Sequence, residues 1–309
     1  MDFLLLIIGF VLLIKGADML VDGSSSIAKK HGISSLVIGL TIVAFGTSTP
    51  ELVVNMISAF SKETELAISN IVGSNISNIF FILGLTALVF KIPMPKSTVK
   101  KEIPFMIFTS ALLLVLLLDS LLSRFDALIL IFFFILFLAY TFKTAKKDRT
   151  KDTEEIIVMS TQKSSVFITI GLAGLILGGK FIVDGAVNIA EAFSLPKEFI
   201  GLTIVAVGTS LPELAASIVA AFKKQTDMAL GAIVGSNIFN VLWILGATAV
   251  INPLSGYSSM LFDLKVELLA SMLVFLAAFT FQKNFLTKIE GAILFLFYIG
   301  FIIYKASLL

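Results

Sequence analysis

Two copies of one thirteen-residue block, 162 positions apart, limit what this chain can fold into more than any other feature. GLTIVAFGTSTPE at 39–51 and GLTIVAVGTSLPE at 201–213 are identical at 11 of 13 positions. At the same offset GSNISN (73–78) meets GSNIFN (235–240), and Asp22-Gly23 meets Asp184-Gly185. One offset that fits three blocks marks an internal duplication, so the fold must be built from two like units.

Those units belong in a bilayer. Of the 309 residues 58% are hydrophobic and 14% charged, where a soluble domain carries about 25% charged residues. A spanning helix needs about 20 apolar residues, and ten such stretches follow one another: near 2–21, 34–60, 66–90, 103–122, 126–142, 165–186, 198–222, 228–250, 262–281 and 286–306. The expected fold is an all-α membrane protein of ten transmembrane helices in two inverted five-helix repeats, 1–142 and 165–309, joined by a polar linker at 143–164. Five is odd, so the second copy enters the membrane from the opposite side. A pseudo-two-fold axis in the membrane plane then relates the halves, an arrangement that in transporters puts the substrate site near the midplane at the repeat interface. Met1-Asp2 leads straight into the first apolar run with no positive region before it, so that span is expected to be retained and not cleaved as a signal.

Positive charge divides by loop. Loops after odd-numbered spans hold 16 of the 23 Lys and Arg, from Lys29 and Lys30 to Lys283 and Lys288. Loops after even-numbered spans, with the C-terminus, hold five: Lys62, Arg124, Lys197, Lys265 and Lys305. The odd-loop side, including the 143–164 linker, is therefore expected to be cytoplasmic and both termini external.

Cysteine is absent and His31 is the single histidine, which excludes thiolate and histidine metal sites and the usual catalytic triads. His31 itself reads as an interfacial loop residue. Glu51 and Glu213 fall well inside spans 2 and 7. A carboxylate near the bilayer centre costs roughly 2.5 to 3.5 kcal/mol on insertion scales and by default marks a functional site. No Lys or Arg lies in spans 2, 3, 7 or 8, so the counter-charge must be a bound cation or a proton. Pro50 and Pro212 remove a helical hydrogen bond and bend or interrupt the helix, and Gly46 and Gly208 permit unusual backbone, which frees carbonyls beside each glutamate.

On a helix Thr47 and Ser48 lie four and three residues before Glu51, and Thr209 and Ser210 stand so before Glu213. Ser74 with Asn78, and Ser236 with Asn240, share faces of spans 3 and 8 by the same spacing. The result is an oxygen-only cluster of the kind that hard cations such as Ca²⁺ and Na⁺ bind. Other polar and small residues read more simply. Gly73-Ser74 and the run from Gly171 to Gly179 suit helix packing, Asn75 and Asn237 either bridge helices or ligate, and Lys15 and Lys180 pair with nearby Asp or snorkel.

With these residues the chain resembles the Ca²⁺/cation antiporter superfamily, whose two repeats carry G-T-S-x-P-E on one helix and G-S-N-x-x-[ND] on the next. The resemblance covers essentially the whole chain and is closer to the Na⁺/Ca²⁺ branch than to H⁺/Ca²⁺ exchangers. It implies that spans 2, 3, 7 and 8 form the ion-binding core and that spans 1 and 6 slide against it. By position it implies Glu51 and Glu213 as Ca²⁺ carboxylates helped by the Thr47 and Thr209 carbonyls. Na⁺ sites would use the Ala44 and Ala206 carbonyls, Ser48, Ser74, Ser210 and Ser236, with Asn78 and Asn240 lining the centre. Many microbial and K⁺-dependent relatives have Asp where this chain has Asn240, which argues against K⁺ co-transport.

The function expected is secondary active exchange of Ca²⁺ for Na⁺ across the cell membrane, with the two ions as substrates and the lipid bilayer as surroundings. No prosthetic group, nucleic acid or obligatory protein partner is implied, and no enzymatic activity. A H⁺/Ca²⁺ exchanger with the same fold is the alternative, a passive cation channel a weaker one, and an intramembrane hydrolase lacks the His or Cys it would need.

Overall fold

The apolar runs fold as helices in the computed structural model of the chain, which describes residues 2–145, 158–193, 206–257 and 260–308. Helices follow from the solvent: hydrocarbon offers no partner for backbone N–H and C=O, so each segment must satisfy its own. In chain order the elements are α1 (Asp2–His31), α2 (Ser35–Thr47), α3 (Thr49–Ser61), α4 (Thr64–Val89), β1 (Ile92–Pro93), α5 (Lys96–Lys100), α6 (Glu102–Leu116), β2 (Leu121–Leu122) and α7 (Arg124–Thr144). Then come α8 (Thr161–Ala192), α9 (Ala206–Thr209), α10 (Leu211–Phe222), α11 (Thr226–Ile251), β3 (Leu254–Ser255), α12 (Met260–Ala277), β4 (Phe285–Leu286) and α13 (Lys288–Ala306).

Six of these helices are long and apolar enough to cross a membrane, and the bent pair α2 and α3 makes a seventh. The other expected spans fall short for local reasons. The 103–122 stretch is carried by α6, 15 residues long, and 262–281 by α12, which includes Asp263, Lys265 and Glu267. Of 198–222 only α9 and α10 lie among the described residues, and most of the 143–164 linker lies outside them. Sequence boundaries also stopped α1 too early. It continues through the polar stretch after 21, so His31 is its exposed last residue and not a loop residue.

α4 and α11 are central, with 78% and 94% of their apolar windows buried, against 22–33% for α1, α7, α8 and α13. The outer helices turn Phe10, Ile14, Phe125, Phe132, Leu296 and Ile303 outward, an arrangement that water would penalise and lipid accepts. α1 and α8 form the largest helix contact, along a seam of small residues. Gly9 meets Gly178, Gly16 meets Gly171, and Gly23 meets Ser164; one number rises by seven as the other falls by seven, so the pair is antiparallel. A Cβ added at Gly16 would sit 2.7 Å from the Gly171 carbonyl oxygen, so only glycine permits this approach.

The two short sheets tie the halves together. β1 pairs antiparallel with β4, Ile92 opposite Leu286, and β2 pairs with β3, Leu122 opposite Leu254. Each sheet takes one strand from before and one from after the linker, and the two registers repeat each other.

Candidate functional site

The site forms where α2 and α3 meet α4, α9, α10 and α11. α2 and α3 are bent 45° apart at Ser48, whose φ and ψ of −80° and 9° leave the helical region, and Ser210 repeats the break at −88° and 2°. The interruption thus comes two residues before each proline. Pro50 and Pro212 occupy the first turn of α3 and α10, where a missing N–H costs no hydrogen bond. Glu51 and Glu213 fall in those same first turns, and the positive end of each half-helix dipole points at its carboxylate. Both side chains are buried, Glu51 fully and Glu213 at 3% exposure, and they lie close enough to repel each other.

The hydroxyls serve the carboxylates in a pattern that helical spacing did not reveal. Ser48 Oγ donates to Glu213 Oε1 at 3.3 Å, across to the other half, and not to Glu51 on its own helix. Thr47 also faces Glu213. Ser74 Oγ donates to Glu51 Oε1 at 3.2 Å. Ser236 Oγ reaches the Ala44 carbonyl at 3.5 Å, an oxygen that already accepts the Ser48 N–H at 3.0 Å. Thr209 is half-buried at the end of α9, and Ala206 opens that helix.

Asn78 and Asn240 sit at π-helical turns, Ser77–Leu83 in α4 and Asn240–Leu245 in α11, a device that widens a helix and is common at functional sites. Four amides cross-brace the two helices. Asn78 Nδ2 donates to Asn237 Oδ1 and Asn240 Nδ2 to Asn75 Oδ1, both at 3.0 Å. Asn75 Nδ2 reaches the Asn237 carbonyl at 3.3 Å, and Asn237 Nδ2 the Asn75 carbonyl at 3.4 Å. Asn75 and Asn237 are therefore bridges between helices, one of the two readings their sequence allowed.

Five buried oxygens of this cluster accept or donate nothing among the described residues: Glu51 Oε2, Glu213 Oε2, Asn78 Oδ1, Asn240 Oδ1 and Ser210 Oγ. An orphaned buried polar atom is costly, and all five belong to residues whose spacing marked them as ligands. Among the described residues no three Asp, Glu, His or Cys side chains converge. The donor set is two carboxylates with neutral oxygens, and Lys180, Lys223 and Lys305 pair with acids other than Glu51 and Glu213. A hard cation fits that set.

Of the buried carboxylates that the sequence did not single out, Glu102, Asp263, Glu267 and Glu290, one bears on the site. Glu267 of α12 is fully buried and accepts from Asn75 Nδ2 at 2.8 Å and Ser110 Oγ at 3.2 Å. The duplication could not flag it, since Phe105 stands 162 positions before it. Its signal was a mid-span acid whose nearest base, Lys265, is two residues away on another helix face.

Known proteins share this architecture. The family model described as "Sodium/calcium exchanger protein" matches residues 1–143 and 163–306. Sodium/calcium exchanger MaX1 of Methanosarcina acetivorans is 31% identical, over 98% of this chain and 97% of that protein. Inner membrane protein YrbG of Escherichia coli is 36% identical, over 81% of this chain and 79% of its own length. A solved structure of the sodium-calcium exchanger NCX_Mj superposes with a TM-score of 0.86 at 32% identity, covering 100% of this chain and 98% of that one.

Proposed function

The chain belongs to the sodium/calcium exchanger family, and from that premise we propose that it is a secondary active antiporter driving Ca²⁺ against Na⁺ through Glu51 and Glu213. The observation that carries this reading is the set of five buried oxygens, unpartnered among the described residues, around two carboxylates with which no described lysine or arginine forms a salt bridge. Their sum of two negative charges is balanced by one Ca²⁺ or by two Na⁺, so the same site takes either load but not both. Only a neutralised core can cross a low-dielectric barrier, where Coulomb terms are weakly screened.

Ca²⁺ would bind between Glu51, Glu213 and the Thr47 and Thr209 carbonyls. Na⁺ would take Ser48, Ser74, Ser210 and Ser236 with the Ala44 and Ala206 carbonyls, and Asn78 and Asn240 would line the centre. A third Na⁺ is tolerable if its charge spreads over those hydroxyls and carbonyls, which makes exchange electrogenic. K⁺ in addition, without an acid at Asn240, is not. Ten spans in two inverted repeats, in the cell membrane, suit alternating access. Matching registers in the two interlocking sheets and equal offsets at both ends of α4 and α11 support that count. The division of positive charge supports a cytoplasmic 143–164 and external termini.

The test is Ca²⁺ uptake into sealed proteoliposomes under an outward gradient of Na⁺, K⁺ or H⁺ in turn, at clamped potential. Uptake is expected with Na⁺ alone. Uptake driven by H⁺ without Na⁺, an absolute need for K⁺, or flux indifferent to every trans ion would each overturn the proposal.

A further inference from the structure

Asparagine can present either edge of its amide to a neighbour, so an asparagine ligand needs something to hold its oxygen toward the ion. The two halves solve this differently. Asn240 Nδ2 donates to Asn75 Oδ1 at 3.0 Å, and Asn75 Nδ2 donates in turn to Glu267 Oε1 at 2.8 Å. Asn75 and Asn237 each also donate to the other's backbone carbonyl, at 3.3 and 3.4 Å, but where Asn75 has a carboxylate behind it, Asn237, which takes the amide of Asn78, has the Met106 thioether, 3.8 Å from its Nδ2. Sulfur is a weak acceptor, and a carboxylate oxygen a strong one.

The carboxylate end, the shorter of the two contacts of Asn75 Nδ2, fixes the sense of the row together with the Asn237 carbonyl. Turned over, Asn75 would set its own oxygen against Glu267 Oε1 and its NH₂ against the NH₂ of Asn240, two acceptors at one end and two donors at the other. Both mismatches would be buried, since Glu267, Asn75 and Asn240 are all fully enclosed. Asn75 must therefore give its NH₂ to Glu267 and its oxygen to Asn240. Asn240, its NH₂ turned to that oxygen and to Ser74 Oγ at 3.5 Å, which itself donates to Glu51, is left with Oδ1 buried and without a partner among the described residues.

We infer that Glu267 is a positioning residue: through Asn75 it holds the Asn240 side-chain oxygen toward the transported cation, and so sets the affinity of the site without touching the ion. This rests on the proposed place of Asn240 lining the centre of the site, and adds that its side-chain oxygen faces the bound ion there. Ser110 and Ser271 complete the surroundings of Glu267, Ser110 Oγ lying 3.3 Å from Ser271 Oγ, but neither is part of the row of amides.

The experiment uses the full chain in proteoliposomes and compares KM for Ca²⁺, maximal Na⁺-driven rate and Ca²⁺ binding to the purified protein in detergent. Glu267→Leu and Asn75→Ala should each raise the Ca²⁺ KM and weaken Ca²⁺ binding about tenfold, the scale of one lost or reversed buried hydrogen bond. The double variant should be no worse than either single one, because both release the same oxygen. Glu267→Gln, nearly isosteric but able to offer either edge, should recover part of the affinity, and Ser271→Ala should leave it unchanged. A merely structural Glu267 would instead lower the melting temperature and the maximal rate at constant KM. Wild-type KM in Glu267→Leu, or additive losses in the double variant, would overturn the inference. Should the leucine variant fail to insert, Glu267→Gln combined with Asn75→Ala supplies the same cycle, and additivity there overturns it equally. Asn240→Ala separates the two readings: an unchanged Ca²⁺ KM there refutes the ligand role itself, whereas a raised KM beside an inert Glu267 refutes the row of amides alone.

Discussion

Residues 162 positions apart in the two halves occupy like places in the fold and do unlike work. On α1, Asp18 and Asp22 both reach Lys223 at the end of α10, at 2.6 and 2.5 Å. Their counterparts on α8, Lys180 and Asp184, pair with each other along one turn at 3.1 Å and, among the described residues, form no ion pair across to another helix. Ser48 and Ser74 donate to the carboxylates, while the Ser210 hydroxyl has no partner among the described residues and Ser236 turns to a carbonyl. Asn75 is backed by Glu267, Asn237 by Met106. Duplication supplied a repeated backbone, and substitution in one copy then gave each half its own ion pairs and its own contacts behind the paired amides.

The comparison breaks first if the carboxylates themselves are unequal. Glu51→Gln and Glu213→Gln should each cut Na⁺-driven Ca²⁺ uptake by roughly a hundredfold or more, since even outer-shell changes at metal sites reach that range. Both variants should still insert and purify. Near-normal uptake in either one would mean that a single half carries the ion.

Next in size is the seam. Gly16→Leu and Gly171→Leu, on opposite sides of the contact between α1 and α8, each thrust a side chain into backbone 2.6–2.7 Å away. Overpacking of this kind costs about 1–3 kcal/mol, and the rate of exchange should fall about tenfold if these helices must slide. Gly300→Leu, where among the described residues a Cβ would meet nothing within 4 Å, is the control. Equal rates in all three would remove the sliding pair from the mechanism.

The serines sharpen the comparison further. Ser48→Ala, Ser74→Ala, Ser210→Ala and Ser236→Ala should all raise the Na⁺ concentration for half-maximal exchange, by about fivefold each, because the halves exchange roles as access alternates. An effect confined to Ser48 and Ser74, the two that donate to a carboxylate here, would mean that the asymmetry is permanent.

How much of this the sequence disclosed depends on what the chain wrote twice. Glu51 and Glu213, the broken helices and the polar faces of α4 and α11 recur at one offset, and periodicity with bilayer energetics did the rest. Ser48 was assigned a face from unbroken helical spacing, yet the helix breaks at Ser48 itself and sends the hydroxyl to the opposite half. Glu267 has no counterpart at the repeat offset, where Phe105 stands, so the duplication gave no cue to it and only its place as an acid inside a span could have. The bracing by Asn75 and Asn237 was legible only as one of two choices, since partner identity in an amide network is a property of the packed pair.

The smallest effect expected is that of the latch on α1. Lys223 and its two aspartates are 29–45% exposed, and ion pairs so wetted contribute about 0–1 kcal/mol. At about 1.4 kcal/mol per tenfold, removing the link should shift the balance between access states by at most about fivefold. Single cysteines placed at Ser69 or Leu66, which line a cavity reaching Ser74 and Thr209, would report that balance through labelling rate in an otherwise cysteine-free chain. Lys223→Gln should change the rate about threefold, and raised salt should do the same to wild type but not to the variant. Lys180→Gln, whose pair stays within one helix, should leave labelling alone. Acidity offers a further check. Burial works against the Lys223 ammonium, but Asp18 and Asp22 together hold its pKa above the ordinary lysine value of 10.5. A raised lysine pKa stabilises the latched form at all pH below the ordinary value, and this is lost only as pH rises through the shifted one. Labelling should therefore be flat from about pH 6 to about pH 9 if the latch alone governs it. A change in labelling with Lys180→Gln as large as that with Lys223→Gln would show that the two halves are latched alike, and that their difference here is only geometric.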